Sequence, residues 1–449
     1  MKLSKRIQKS LKVIVINIVI LAALLELGSV GVYFLQTGTF FYTAREKGTP
    51  ETKSLAYTAQ GQNVSKENIL RQLHPYFGFV QSNNLQFQFS YSKIAHLPNN
   101  FGFESPYNYP LKKHNKDQFI VGIFGGSVGQ SISMFELENH ILKSSLQQLA
   151  YFKNKEIIVL SFTAGSYKQP QQLLVLNYFL AMGQDFDLVI NIDGFNEAAL
   201  GFLNYRHGID VSMPDQAVIT PLVSLANKDF SLEELRLTLE ILDDKSRMRD
   251  ALASLKKCKL ATCYLLSWMR ARYFAHKYYQ ASQKLDALRT AKGPGKWSLV
   301  QVNGIANPLD DSTAGEKIAS IWSDASLTIK NTLKERGTPY FHFIQPNQYY
   351  QTNRKFTDAE TKIALNHQSP YEEAVKKGYP PILSRLEFLK QSGVDVFSAV
   401  NLFDNTPDIV YEDDCCHYNK IGNELFLKYI STTITDALGR NPRFASTSQ

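Results

Sequence analysis

The stretch Phe119-Ile-Val-Gly-Ile-Phe-Gly-Gly-Ser127-Val-Gly-Gln130 decides the fold, because an apolar strand in it runs directly into a glycine-rich turn. Four more short apolar segments follow along the chain, separated by amphipathic stretches of helical period. This alternation predicts an α/β fold with a parallel, doubly wound sheet. The predicted strands are Phe119–Phe124, Glu156–Phe162, Asp187–Ile192, Pro339–Ile344 and Val394–Ala399. The predicted helices are Met134–Tyr151, Gln169–Met182, Ile318–Arg336, Pro381–Gln391 and Lys420–Leu438.

Polar and glycine residues follow the predicted strands in positions that parallel pairing would bring to one rim. Gly125–Gly129, Gly165 and Asp193–Glu197 each come directly after a strand. Asp414 and His417 follow the last strand after a loop. Because ligands bind at the carboxyl ends of the strands in such sheets, this rim is the predicted site.

Ser127 has three interpretations when it is considered alone. The surrounding glycines suggest a nucleotide loop, but neither the G-x-G-x-x-G spacing nor a Walker lysine is present. A serine on a tight turn can also simply cap a helix. The third interpretation is a nucleophile, which requires a base and a group that orients the base.

Other residues supply the parts that a nucleophilic serine needs. His417 can serve as the base, and Asp414, three residues earlier, can orient its ring. Gly165 allows its backbone N–H to approach a ligand closely, and Asn196 offers a side-chain amide. Two backbone donors and one amide aimed at one point would form an oxyanion hole.

In this order, the blocks resemble those of the SGNH (GDSL-type) hydrolase superfamily. Gly125-Gly-Ser127 resembles the first block, Ala164-Gly165 the second, and Gly194-Phe-Asn196 the Gly-x-Asn of the third. Asp414-Cys-Cys-His417 resembles the last block. The likeness covers roughly residues 116–200 and 316–438. Some membrane-anchored bacterial exopolysaccharide O-acetylation proteins have a similar layout.

The resemblance implies a flavodoxin-like, three-layer α/β/α fold and a serine esterase or acyltransferase without a cofactor. It assigns Ser127 as the nucleophile, His417 as the base and Asp414 as its orienter. The oxyanion donors would be the Ser127 N–H, the Gly165 N–H and the Asn196 amide. One departure is visible, because the family's usual Asp before the serine is Gly126 here.

The N-terminus predicts a membrane anchor. Residues 1–12 are basic and residues 13–35 are almost continuously apolar, long enough to cross a bilayer as a helix. A basic flank stays in the cytoplasm, so the body of the protein is expected outside it, on the periplasmic side. A cleaved signal peptide is the alternative. Glu26 is expected near the outer headgroups, where its charge costs less, and the alternative is that it faces a partner helix.

The rest of the chain divides by composition. Residues 36–115 are predicted to form an extended stem, and residues 116–200 and 316–438 the two parts of the α/β domain. Residues 201–315 are predicted to form a helical insertion that caps the site or packs on the flank of the domain, and an amphipathic helix on the membrane surface is a third interpretation. Residues 439–449 form a tail.

The net charge of +8 is spread along the chain. Beside a membrane anchor it argues against nucleic acid and for anionic lipid or an acidic polymer. The four cysteines leave disulfide pairing open. Their spacing, five residues in one pair and one in the other, does not fit a zinc site, and no metal is predicted.

Two functions remain on this sequence. The first is a membrane-anchored enzyme acting on O-acyl esters, most plausibly O-acetyl groups of a cell-envelope glycan; this substrate rests on the resemblance. The second is a non-catalytic scaffold or polysaccharide-binding component of an envelope assembly machine, with other proteins of that machine as partners. The complete set of nucleophile, base and orienter favours the enzyme.

Overall fold

The computed structural model describes residues 5–44, 52, 55, 71–82, 92, 97–227, 231–292, 304–305 and 310–445. Contacts within the chain group it into two compact units. One unit comprises Met1–Asn63 with Leu232–Leu288, and the other comprises Val64–Ser231 with Arg289–Gln449. The larger unit carries the rim predicted from the sequence.

The larger unit is built on a five-stranded sheet in which every neighbouring pair is parallel. Its strands are β3 (Gln118–Gly125), β4 (Glu156–Thr163), β5 (Leu188–Asp193), β6 (Tyr340–Ile344) and β7 (Asp395–Ser398), in the order β4-β3-β5-β6-β7. This is the flavodoxin-like order, whose switch point lies between β3 and β5. Strands β1 (Arg71–His74) and β2 (Gly78–Gln81) form a separate antiparallel hairpin.

Helices connect the strands and cover the sheet. Those before the insertion are α3 (Ser127–Asn139), α4 (Ile141–Leu146), α5 (Gln171–Ala181), α6 (Gly201–Arg206) and α7 (Gln216–Asn227). A 3₁₀ turn spans Ala150–Phe152, and a π-helical turn at Asn196–Leu200 leads into α6. Those after the insertion are α10 (Asp311–Lys334), α11 (Asp358–Ala364), α12 (Pro370–Ser384), α13 (Leu386–Gln391), α14 (Lys420–Gly439) and α15 (Pro442–Ala445).

The α/β fold predicted from the sequence is confirmed. All five predicted strands exist, with ends within one residue of those observed. Strands β3 to β6 read as continuous apolar runs because both of their faces are buried. In β3, every residue from Phe119 to Gly125 is buried.

Part of the predicted stem packs into the core of this unit. Phe77, Phe79, Phe103 and Tyr109 are at most 3% exposed and belong to the same apolar cluster as the strands of the sheet. The Tyr109 ring stacks on Phe162 of β4 at a centroid distance of 4.4 Å. This burial fixes the β1–β2 hairpin on the sheet unit.

The smaller unit contains α1 (Lys5–Thr37), α2 (Phe41–Ala44) and a hairpin of two long helices, α8 (Leu232–Lys257) and α9 (Ala261–Lys292). Within α1, Lys12–Thr37 is long and apolar enough to cross a membrane. A disulfide between Cys258 and Cys263 closes the turn of the hairpin. The part of the predicted insertion that forms this hairpin is therefore helical, as expected, and the bounds of the insertion and its capping of the site stay predictions.

Glu26 of α1 has its polar partners within this unit. Its carboxylate accepts hydrogen bonds from the backbone N–H groups of Ala261 and Thr262, the latter at 3.0 Å, and from the Tyr42 hydroxyl. The first N–H groups of a helix have no partner inside the helix and carry partial positive charge. Glu26 therefore caps α9, which explains how a carboxylate is tolerated within an apolar helix.

Candidate active site

Ser127 is the first residue of α3, directly after the turn that ends β3. Gly125 has φ 155°, and a Cβ there would lie 2.3 Å from the Ile192 carbonyl oxygen, so the turn requires glycine. No side chain caps α3 at Gly126. The N–H of Ser127 is one of the four that a helix cannot satisfy internally, so it is available to a ligand at the switch point.

A tight loop before α14 carries His417 to the same place. The loop is closed by a β-bridge between Tyr411 and Tyr418 and by the Glu412 N–H, which donates to the His417 carbonyl at 3.0 Å. The Asn423 carboxamide, in the first turn of α14, accepts from the Ser131 hydroxyl of α3 at 2.9 Å. The two helices that begin beside Ser127 and His417 are thus tied together.

The predicted nucleophile and base lie in direct contact although they are 290 positions apart in the chain. His417 Nε2 lies 2.8 Å from Ser127 Oγ, and His417 Nδ1 lies 2.6 Å from Asp413 Oδ2. Both distances are those of good hydrogen bonds. With the Nδ1–H donated to Asp413, the Nε2 lone pair of a neutral imidazole can accept the Ser127 proton.

The carboxylate on His417 is Asp413, which corrects the sequence prediction of Asp414. Both ring nitrogens are occupied, by Asp413 and by Ser127, so Asp414 cannot orient the ring. Its carboxylate instead accepts from the Asn366 amide at 2.8 Å. The signal missed in the sequence was the second carboxylate of the Asp-Asp pair, four residues before the histidine.

Asp413 is held by the backbone of its own loop. Its Oδ1 accepts from three successive N–H groups, those of Cys415, Cys416 and His417, at 3.0, 3.1 and 3.2 Å. This leaves Oδ2 for the imidazole. The carboxylate is 3% exposed, and its direction is therefore fixed before any substrate arrives.

The segment after β6 supports the same loop from outside. The side chains of Asn347, Gln348 and Tyr349 donate to the carbonyl oxygens of Cys415, Asp413 and Asp414 at 3.1, 3.1 and 2.7 Å. Sequence reasoning missed these residues, because a Gln- and Asn-rich segment after a strand is not distinctive. They act on backbone atoms and therefore position the loop.

The protonation of His417 and that of Asp413 affect each other. Burial alone would lower the pKa of His417, but the adjacent Asp413 carboxylate outweighs burial and raises that pKa well above the usual value of an imidazole. Burial likewise opposes ionisation of Asp413, yet the histidine and the backbone donors hold its pKa below the ordinary range. Such a paired base is typical of catalytic sites.

The remaining predicted donors lie around Ser127. A Cβ built on Gly165 would lie 3.9 Å from the Ser127 Cβ. Among the described residues, the Gly165 N–H makes no backbone hydrogen bond. The Asn196 amide donates to the Tyr167 carbonyl at 2.7 Å and is 7% exposed. It lies against Gly126, since a Cβ there would be 2.1 Å from Asn196 Nδ2.

That contact gives a physical reason for the glycine before the serine. Any side chain at position 126 would meet the Asn196 amide and, at 3.1 Å, the Tyr167 carbonyl oxygen. An aspartate could not occupy this site without displacing Asn196. Glycine at position 126 is therefore matched to the Asn196 amide that lies beside it.

Cys415, Cys416 and His417 could bring three metal-binding atoms within 4.8 Å of one another. The two thiols are free, with their sulfur atoms 3.0 Å apart. However, both His417 nitrogens already hydrogen-bond to Ser127 and Asp413. A metal could enter only by breaking those contacts, so the arrangement fits a proton-transfer role for His417 better than ligation.

Comparison with known proteins gives little. No family model and no curated protein matches this chain. Among solved structures, the crystal structure of an acetyl xylan esterase is similar over 71% of this chain and 100% of its own length, with 12% sequence identity and a TM-score of 0.31. A likeness this slight carries no argument about fold or function.

Proposed function

We propose that this chain is a membrane-anchored serine esterase or acyltransferase of SGNH type, acting on O-acyl esters of a cell-envelope glycan. The observation that supports it best is the continuous hydrogen-bonded series Ser127 Oγ, His417 Nε2, His417 Nδ1 and Asp413 Oδ2. Nucleophile, base and orienter within hydrogen-bond reach are the geometric requirements for nucleophilic acyl chemistry.

In the proposed reaction, Ser127 Oγ attacks the ester carbonyl while its proton moves to His417 Nε2. The Ser127 N–H, the Gly165 N–H and the Asn196 amide would stabilise the oxyanion. The C–O bond to the alcohol breaks as His417 returns the proton to the leaving oxygen, and the acyl group remains on Ser127. Water then releases it as a carboxylic acid, or a sugar hydroxyl accepts it, with His417 again taking the attacking proton.

Two features support an extracytoplasmic location for this chemistry. The basic N-terminus before an apolar helix favours a cytoplasmic start. The disulfide between Cys258 and Cys263 suits an oxidising compartment. Acetyl esters of an envelope glycan would be accessible there, and this choice of substrate rests on the family resemblance alone.

A serine-directed fluorophosphonate probe tests the reaction class directly. We expect full-length protein in detergent to form one adduct, located on Ser127 by mass spectrometry, since only an activated serine reacts. Pre-incubation with phenyl acetate should slow labelling. If the folded protein takes no label, or takes it only at other serines, the non-catalytic scaffold becomes the better interpretation.

Replacement of Asn196 tests the oxyanion hole. Asn196→Ala keeps the Ser127–His417 pair but removes one donor, so we expect kcat to fall ~10²–10³-fold with KM changed little. Asn401, an exposed asparagine, provides the control Asn401→Ala, which should keep wild-type rates. If Asn196→Ala also lowers the melting temperature strongly, the loss of kcat would instead indicate that the amide has a purely structural role.

A further inference from the structure

Arg71 is a cation that the proposed reaction does not use. It lies at the start of β1, in the hairpin that the aromatic core holds on the sheet unit. Its guanidinium stacks over the Phe79 ring at 5.2 Å from the centroid, which fixes its direction. Arg71 lies within residues 36–115, the predicted stem, for which the sequence predicts no role at the site.

The guanidinium lies beside the nucleophile. Arg71 Nη2 is 2.9 Å from the point where a Cβ on Gly165 would stand, and the Ser127 Cβ is 3.9 Å from that point. A side chain at position 165 would therefore be in close contact with the Arg71 guanidinium. A group bound covalently to Ser127 Oγ would be within reach of this cation.

No carboxylate of the part of the chain that the structure describes contacts the Arg71 guanidinium directly. Among the described residues its guanidinium makes no hydrogen bond or salt bridge. Asp215 acts on it only through space, and the Asp215 carboxylate accepts its own hydrogen bond from the Ala217 N–H at 3.0 Å. A half-buried cation without a contacting anion is costly. Arginine presents a rigid fork of donors suited to carboxylate and phosphate oxygens.

We infer that Arg71 binds an anionic oxyacid group, a carboxylate or a phosphate, carried by the substrate close to the ester that Ser127 attacks. The inference rests on the proposed function and specifies its substrate as an acidic acylated glycan. Arg71 Nη2 lies near the Cβ position of residue 165, and the expected oxyanion donors are three other groups, the Ser127 N–H, the Gly165 N–H and the Asn196 amide. The role is therefore substrate recognition.

Three acetate esters that differ in charge test this: neutral phenyl acetate, 4-acetoxybenzoate and 4-acetoxyphenyl phosphate. With full-length protein in detergent, we expect Arg71→Gln to lower kcat/KM about 10- to 100-fold on at least one charged ester, mainly through KM. Phenyl acetate should stay within about threefold of wild type. The charged ester whose kcat/KM falls more shows whether Arg71 prefers a carboxylate or a phosphate. Arg71→Lys should retain part of the preference.

The control is Arg385→Gln, which removes the same charge from an exposed ion pair with Glu316. This variant should not lower kcat/KM selectively on any of the three esters. An equal loss on phenyl acetate would overturn the inference by assigning Arg71 to the oxyanion or to folding. Equal rates of Arg71→Gln and wild type on all three esters would also overturn it, while leaving the esterase proposal intact.

A binding measurement keeps the inference testable even if no ester is turned over. Calorimetric titration of Ser127→Ala with the two charged esters should show binding that the double variant Ser127→Ala/Arg71→Gln weakens about 10-fold or more. Absence of binding, or binding that is indifferent to Arg71, counts against the anion site. Labelling of wild type by the phosphonate probe reports separately on the catalytic proposal.

Discussion

Ser127→Ala should lower turnover of small acetyl esters by ~10⁴–10⁶-fold, the largest effect expected of any single substitution in this chain. Removing the nucleophile of such a triad leaves only the oxyanion hole and substrate binding. Within the described ranges the hydroxyl has one hydrogen bond, to His417 Nε2, so the free energy of unfolding should change by only about 1 kcal/mol. Initial rates with phenyl acetate and a thermal melt of the same samples measure both quantities.

Ser144→Ala is the matched control, because Ser144 is an exposed serine in α4. It should keep full activity and probe labelling. The scaffold interpretation expects something different, namely no turnover by wild type and an unchanged phenotype for Ser127→Ala in an envelope-modification assay. If Ser127→Ala complements a deletion fully and wild type neither labels nor hydrolyses esters, the enzyme proposal is wrong.

The strands were predictable from sequence because four of the five, all but the edge strand β7, are buried on both faces and read as apolar runs bounded by polar residues. The helix boundaries were harder. Met134–Tyr151 was predicted as one helix, but α3 ends at Asn139 and α4 begins at Ile141. His140 between them has φ 54°, and the Glu136 carboxylate accepts from the Leu142 and Lys143 N–H groups. Because a carboxylate that caps the next helix does not change the spacing of the apolar residues, the break between the two helices could not be predicted from that spacing.

The early start of α3 and of α12 was missed for other physical reasons. Val128–Glu136 is buried on every side, so the first turns of α3 lack the polar face that identifies a helix. Pro381 was predicted as a helix start, because proline favours the first turn. In the structure, Pro380 and Pro381 lie within α12, which begins at Pro370 after the side-chain cap of Ser369.

The site was predictable to the extent that its residues follow strands. Ser127 and His417 were found that way, and the carboxyl ends of parallel strands do bring them together. The sequence could not show which of Asp413 and Asp414 contacts His417, since both lie in a loop without periodicity. The choice between them depends on the three N–H groups that converge on Asp413. Arg71 was missed because its nearness to Ser127 comes from tertiary packing of the stem.

At a pH where His417 is unprotonated in the wild type, Asp413→Asn should lower kcat by ~10⁴-fold, whereas Asp414→Asn should lose less than about tenfold. An amide at position 413 cannot stabilise the imidazolium and favours the wrong ring tautomer. Asp414 contributes one hydrogen bond with Asn366, a contact of about 1 kcal/mol. Steady-state kinetics of the two variants, prepared and melted side by side, make the comparison.

The pH dependence gives a second readout with a defined sign. A base acts only when it is unprotonated, and Asp413 raises the pKa of His417 well above its usual value. Wild-type kcat/KM should therefore fall as the pH drops through that raised pKa, so its acid limb lies on the alkaline side of an ordinary imidazole. Asp413→Asn removes the carboxylate and should move the limb to lower pH. Asp414→Asn should leave it in place, and the reverse pattern would return the orienting role to Asp414.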